Sequence, residues 1–156
     1  MRIRCRTCTS GATWKAMMKT SAFTPTAKAP AKLTSTSETS PSDCPPDVEA
    51  LGRSSWTLLH TMAASYPERP SLQQQSDAKS FVSSLSRLYP CYWCASDFQK
   101  WMNEARNAPR VSNRAEFGQW LCEAHNEVNR KLGKEEFDCT KVDERWRTGW
   151  KDGRCD

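Results

Sequence analysis

After Pro46, apolar residues recur at three- and four-residue steps through almost all of the chain, the spacing that lines one face of a helix. In the first stretch Val48, Leu51, Ser55, Leu58 or Leu59, Met62 and Tyr66 share a face, and Pro67 closes it. The second opens at Ser71 with Gln74 three residues on, a capping-box pairing. It carries Ala78, Phe81, Val82, Leu85 and Leu88 up to Tyr89-Pro90. The third begins at Cys91 and carries Ala95, Phe98, Trp101, Met102 and Ala105 before Pro109. The fourth opens at Asn113 with Glu116 three residues on, turns Phe117, Trp120, Leu121, Ala124 and Val128 inward, and stops at Gly133. A short fifth helix is predicted from Thr140, with Asp143 at its third position, through Trp146. Alternating strand patterns are nearly absent, so the expected fold is all-α: a four-helix bundle plus a short fifth helix.

Residues 20–43 break the pattern. They are mostly Ser, Thr, Pro, Ala and Lys, with Phe23 and Leu33 the only large apolar residues, too few to offset the entropy of ordering. A disordered tail over residues 1–43 and a folded domain over 44–156 are therefore expected. Ahead of the linker lies an island from Cys5 to Thr20, holding a CxxC at Cys5 and Cys8 and the run Trp14-Lys15-Ala16-Met17-Met18.

Charge and length narrow the function. The formal charge is +5, but residues 1–43 hold seven of the 23 basic and two of the 18 acidic residues, leaving 16 of each in the folded part. A nucleic-acid module needs its excess charge on the folded surface, so nucleic acid is not an expected partner. No apolar run approaches the ~20 residues that cross a bilayer, and no apolar core of a secretory signal follows Met1. The start is rich in Arg, Lys, Ser and Thr and free of acids up to Glu38, as in mitochondrial transit peptides, although cleavage there would discard Cys5 and Cys8.

The eight cysteines carry the strongest chemical signal, in Pro90-Cys91-Tyr92-Trp93-Cys94 at a predicted helix start. Backbone N–H groups and the helix dipole favour a thiolate there, and the spacing suits reversible disulfide formation. The alternatives are half of a zinc site, with Cys5 and Cys8 as the distant second pair, or an ordinary surface pair. Two polar helix faces stand out besides. Gly52, Trp56 and His60 fall at four-residue steps with Arg53 adjacent, and Cys122, His125, Asn126 and Asn129 share a stripe followed by Lys131 and Lys134. Across a bundle these faces could hold a planar, phosphate-bearing ligand; each histidine could equally be a satisfied core residue. With two histidines in the chain, a catalytic zinc on three His is not expected, and no metal site is assigned. Trp101, Trp120 and Trp146 read most simply as core, and Trp56 as the ring set against a cofactor. A cytokine-like helical protein would have no use for such polar faces.

Four segments together are similar to the Erv/ALR family of FAD-linked sulfhydryl oxidases: Leu51-Gly52-Arg53-Ser54-Ser55-Trp56-Thr57-Leu58-Leu59-His60, Tyr89-Pro90-Cys91-Tyr92-Trp93-Cys94, Trp120 through Leu132 with Cys122, His125, Asn126 and Asn129, and Phe137-Asp138-Cys139 followed by Val142-Asp143-Glu144-Arg145-Trp146-Arg147. The likeness covers about residues 44–156. It implies a four-helix bundle with a fifth short helix, usually a homodimer, holding FAD noncovalently. Carried over by motif, Cys91 would exchange with the incoming thiol and Cys94 would lie against the isoalloxazine ring. Gly52, Arg53, Trp56, His60, Tyr89, Cys122, His125, Asn126, Asn129, Lys131, Lys134, Arg145 and Trp146 would line the FAD site. Cys122 and Cys139 would form a structural bridge. The resemblance further implies electrons passing from substrate thiols to FAD and on to dioxygen or cytochrome c. Cys5 and Cys8 would be a mobile shuttle receiving electrons from the import receptor of the mitochondrial intermembrane space, with the stretch Thr9 to Thr13 a small insertion in that pattern. Cys44 and Cys155 would join the two subunits; the alternatives are two free surface thiols or a bridge within one chain.

Overall fold

The computed structural model describes residues 45–155, and the expectations for residues 1–43 and for Cys44 lie outside them. Asp47 starts the first helix, α1 (Val48–Ala64), by accepting the Ala50 N–H at 2.8 Å. The second, α2 (Leu72–Leu88), carries the full capping box: Gln74 N–H donates to Ser71 Oγ at 3.1 Å, and Ser71 N–H to Gln74 Oε1 at 2.9 Å. Each such cap stabilises by about 1 kcal/mol. Cys91 then caps α3 (Tyr92–Met102) through its own sulfur. Asn113 caps α4 (Arg114–Lys131), accepting the Glu116 N–H at 2.9 Å.

The far end of α4 closes on Gly133 at φ 65°. Gly133 N–H donates to Arg130 O, and Lys134 N–H to Asn129 O at 2.8 Å. This pairing satisfies the last carbonyls and needs a left-handed residue, which glycine supplies without strain.

The four helices form a bundle in which α1 packs on α4 and α2 on α3. Its core is Leu59, Ala63, Val82, Trp101, Val111, Phe117, Trp120, Leu121 and Ala124. Of the two leucines offered for the α1 face, Leu59 is buried and Leu58 is exposed.

Three expectations are corrected. The third helix ends at Met102, and Ala105 falls in a separate 3₁₀ turn, Ala105–Asn107. Asn107 takes over the end of α3, its side-chain amide donating to Trp101 O at 3.0 Å. Leu88 shares the apolar row of α2 yet is 80 % exposed, because it sits on the last residue of the helix, where the chain turns away. The fifth helix does not start on Thr140. Asp138 caps a 3₁₀ turn, Cys139–Lys141, and one π-helical turn, Glu144–Thr148, follows. That last turn packs on α1. No helix among the described residues is long and apolar enough to cross a membrane.

Candidate redox and cofactor site

Cys91 and Cys94 form a disulfide at the start of α3. Pro90 and the capping geometry put Cys91 at the N-cap, where Cys94 N–H points at Cys91 Sγ at 3.3 Å. A thiolate released in this first turn is stabilised by unpaired backbone N–H groups and the helix dipole. Cys91 is fully buried, whereas Cys94 is half-buried and faces a cleft. The two residues between them stand outside: Tyr92 is 73 % and Trp93 45 % exposed, their rings edge to face at 5.4 Å.

The cleft has a volume of about 600 Å³, within the range of small-molecule and cofactor sites. Rings from three elements make its walls. Trp56 of α1 stacks on His125 of α4 with centroids 4.1 Å apart, and His60 of α1 stacks on Trp146 of the π turn at 4.6 Å. Between the stacks, His60 Nε2 and His125 Nδ1 share a hydrogen bond of 3.0 Å. Burial drives His60 down to about 3, with the His125 and Arg145 charges adding to it; burial and Lys134 bring His125 to about 4. Both rings are therefore neutral at neutral pH. His60 Nδ1 is buried with no hydrogen-bond partner, an arrangement that costs about 1–3 kcal/mol unless a ligand supplies one.

Gly52 makes a second demand for a ligand. In mid-helix, glycine costs about 1 kcal/mol relative to alanine. A side chain here would meet no protein atom within 4 Å, so no neighbour in the fold requires its absence. The space it leaves opens on the cleft. Arg53, Lys134 and Arg145 bring positive charge to the same walls, with the Arg145 guanidinium 4.2 Å over the Trp146 ring.

The structure brings together on this cleft Gly52, Arg53, Trp56, His60, Tyr89, Cys94, Cys122, His125, Asn126, Asn129, Lys134, Arg145 and Trp146. Trp146, read from its pattern as core, is half-buried on the cleft wall instead, because the π turn swings it onto His60. Lys131 is not on the wall; its Nζ pairs with Asp97 at 2.8 Å and Glu127 at 3.0 Å. Asn126 lines the cleft but spends its amide on the backbone, donating to Phe137 O and accepting from Phe137 N, each at 2.8 Å. Beside it Cys122 and Cys139 are bonded. Bridge and amide together pin the chain after α4 to that helix, and so hold the π turn over the cleft; a crosslink of this span contributes about 3 kcal/mol. Asp97, Leu85, Ser86 and Phe98 also line the cleft and were not expected there. Their helical register relative to Cys94 and Tyr89 is the signal that could have found them. Cys155 is an exposed free thiol. Among the described residues no cluster of three or more His, Cys, Asp or Glu could hold a metal.

The fold and site define a helical bundle with a disulfide at a helix start, opening on an aromatic, cation-rimmed cleft. Residues 53–147 match the model of the Erv1/Alr family, and the chain belongs to that family. It is 58 % identical over 106 residues to the mitochondrial FAD-linked sulfhydryl oxidase ERV1 of Saccharomyces cerevisiae, covering 68 % of this chain and 55 % of that protein. The Schizosaccharomyces pombe protein of the same name is 51 % identical over 94 residues, 60 % of this chain and 52 % of that one. The chain thus spans about half the length of these curated relatives. Among solved structures, the yeast Erv1 core matches with a TM-score of 0.67 and 52 % identity, covering 76 % of this chain and 99 % of that one. The FAD binding domain of Erv1 from Saccharomyces cerevisiae matches at 0.65 and 55 % identity, with 68 % and 99 % covered.

Proposed function

We propose that this chain is an FAD-linked sulfhydryl oxidase that makes disulfide bonds in other proteins. The observation that carries the reading is the Cys91–Cys94 disulfide with Cys94 on the wall of the same cleft as Trp56, His60, His125 and Trp146. The residues present fit FAD: flat rings for its ring systems, Arg53, Lys134 and Arg145 for its phosphates, a partnerless His60 Nδ1 for a polar edge, and the space beside Gly52 for close approach to the helix backbone. When bound, FAD supplies a two-electron acceptor for thiols.

The chain's own residues do the sulfur chemistry. A substrate thiolate attacks Cys91 Sγ, the new S–S bond forms as the Cys91–Cys94 bond breaks, and the electron pair leaves on Cys94. A second substrate thiolate then attacks the mixed disulfide, releasing Cys91. The substrate has lost two electrons and the pair has become a dithiol. Cys91 has no exposed surface, so exchange requires the corner from Pro90 to Trp93 to open. Cys94 needs no such motion, since it faces the cleft already.

Several finer readings go with this. The final acceptor is dioxygen or cytochrome c. The compartment is the mitochondrial intermembrane space, a reading supported by the mitochondrial names of the two yeast relatives. There the import receptor of a disulfide relay passes electrons through Cys5 and Cys8, which lie outside the described residues. The chain works as a homodimer, supported by Leu58, Met62 and Leu72, whose large apolar side chains stand exposed on α1 and at the start of α2. Cys155 of one subunit bonded to Cys44 of the partner subunit would make that dimer covalent twice over.

The test uses three variants. Cys91→Ser and Cys94→Ser each abolish oxidation of dithiothreitol while FAD stays bound, because exchange needs both sulfurs and cofactor retention rests on the helix faces. Cys5→Ser spares dithiothreitol and impairs only a protein substrate. Retained dithiothreitol turnover in either core variant would overturn the assignment.

A further inference from the structure

Asp97 follows Cys94 by three residues within α3, and residues three apart on a helix are face-sharing neighbours, about 5–6 Å between Cβ atoms. Both line the cleft. A carboxylate so close to a sulfur opposes formation of a thiolate there. Asp97 is not left alone, however. Lys131, in the last turn of α4, reaches across to it at 2.8 Å and also meets Glu127 at 3.0 Å. Burial pulls Lys131 down, but the hydrogen bonds and charges of Asp97 and Glu127 outweigh it and raise its pKa, so it stays protonated. The remaining charges on the cleft wall are Glu49 and Arg53, paired with each other on α1 at 3.3 Å, and Lys134 and Arg145, which follow α4. Asp97 is the charged wall residue carried by the helix that also carries Cys94.

We propose that Asp97 and Lys131 are positioning residues for the redox pair, opposed charges whose balance sets the stability of the Cys94 thiolate and hence how readily the Cys91–Cys94 bond opens. The inference rests on the thiol-oxidase reading above. The step it controls is balanced within that reading: the incoming thiolate bonds to Cys91, the Cys91–Cys94 bond breaks, and the electron pair goes to Cys94 without a further oxidant. Asp97 resists that arrival of charge and Lys131 offsets the resistance. The pair also ties α3 to α4 across 34 positions of sequence, so a purely mechanical role has to be separated from an electrostatic one.

Substitutions of opposite sign separate them. Asp97→Asn removes the negative charge beside the sulfur and leaves Lys131 paired with Glu127; it lowers the Cys94 thiol pKa by about one unit, the size of one partly screened charge at this range. Lys131→Met leaves the carboxylate and raises that pKa by a similar amount. Lys131→Arg keeps the charge and stays near the parent, and Asp97→Asn/Lys131→Met returns toward it. In the full chain with Cys91→Ser, the rate of Cys94 alkylation against pH, read peptide by peptide, gives the pKa directly. With the pair intact, anaerobic equilibration against glutathione makes Asp97→Asn severalfold more oxidising and Lys131→Met severalfold more reducing, because stabilising the thiolate stabilises the reduced form. A mechanical clamp predicts one direction for both variants, since each breaks the same contact; that result, or no shift in either, overturns the proposal. If Lys131→Met does not fold, Lys131→Gln, which keeps a hydrogen-bonding head but not the charge, supplies the opposite sign to set against Asp97→Asn. Failure of the unsubstituted chain to oxidise dithiothreitol would sink the underlying reading, a separate outcome from parallel shifts in an active enzyme.

Discussion

Phe98, Trp101, Phe117 and Trp120 pack as one group of rings between α3 and α4, with centroids 5.7–6.3 Å apart. Trp56, His60, His125 and Trp146 pack as another between α1, α4 and the π turn, with neighbours at 4.1–5.9 Å. In the first group Trp120 is wholly buried, and its Nε1–H donates to Asn107 O at 2.9 Å. The second includes two imidazoles, leaves His60 Nδ1 unpartnered and opens on the cleft. Both are aromatic clusters in one bundle. Satisfaction of the polar atoms tells them apart, because a core stabilises by closing and a site keeps something back for its ligand.

The widest gap between the groups should appear on truncation. Trp120→Ala removes a buried ring and leaves a cavity, a loss of about 3–5 kcal/mol. Trp146→Ala, at a half-exposed ring, leaves the cofactor-free protein within about 1 kcal/mol of the parent and weakens FAD binding at least tenfold. Chemical denaturation without cofactor, followed by a flavin titration, reads both. Equal destabilisation by the two changes would erase the distinction.

The histidine pair sharpens it through pH. Both rings take up a proton less readily folded, at about 3 and about 4, than at the ordinary 6.5. Their contribution is complete above about pH 6.5 and drains away as pH falls toward 4, because only the unfolded chain is protonated in that window. Each histidine then costs on the order of 1–2 kcal/mol at pH 5. Carboxylates held low by their partners, Asp143 by Arg147 and Asp138 by Thr140 among them, act only below that window. Denaturation midpoints measured from pH 7 to 5 should fall, and fall less in His125→Asn; a flat profile would mean the histidines are not buried neutral.

Much of this was legible in the sequence where the chemistry is local. Ser71 with Gln74, Asn113 with Glu116 and Gly133 each mark a helix end within four residues, so the caps and the all-α bundle follow from spacing alone. The two site faces were legible too, because four-residue steps put Gly52, Trp56 and His60 on one side of a helix wherever that helix ends up. What resisted reading depends on partners far along the chain. The Lys131–Asp97 pair spans 34 residues, and the clip between Asn126 and Phe137 is set by the Cys122–Cys139 bond rather than by any periodicity. The break after Met102 was hidden because Ala105 continues the apolar spacing, while Asn107 ends the helix with its side chain. The helical period alone set Trp146 in the core, because it carries no sign of a π turn; the family resemblance set it at the cofactor site.

The smallest effect has an unusual pair of signs. Gly52→Ala removes a poor helix former from a position where a methyl group touches nothing, so the cofactor-free protein gains about 1 kcal/mol. The same methyl occupies ligand space, so FAD binds less tightly. The rise in melting temperature that FAD produces should therefore be smaller in Gly52→Ala than in the parent. An undiminished rise would remove the ligand from the α1 backbone.

The most direct test of the account is the absorbance spectrum of the purified full chain during anaerobic addition of dithiothreitol. The account predicts a bound flavin band near ~450 nm, as for oxidised flavins in general, one FAD per chain, bleached by the dithiol in the parent and retained unbleached in Cys94→Ser. A protein that purifies without flavin and takes none up, or a Cys94→Ser variant that bleaches as fast as the parent, would contradict it.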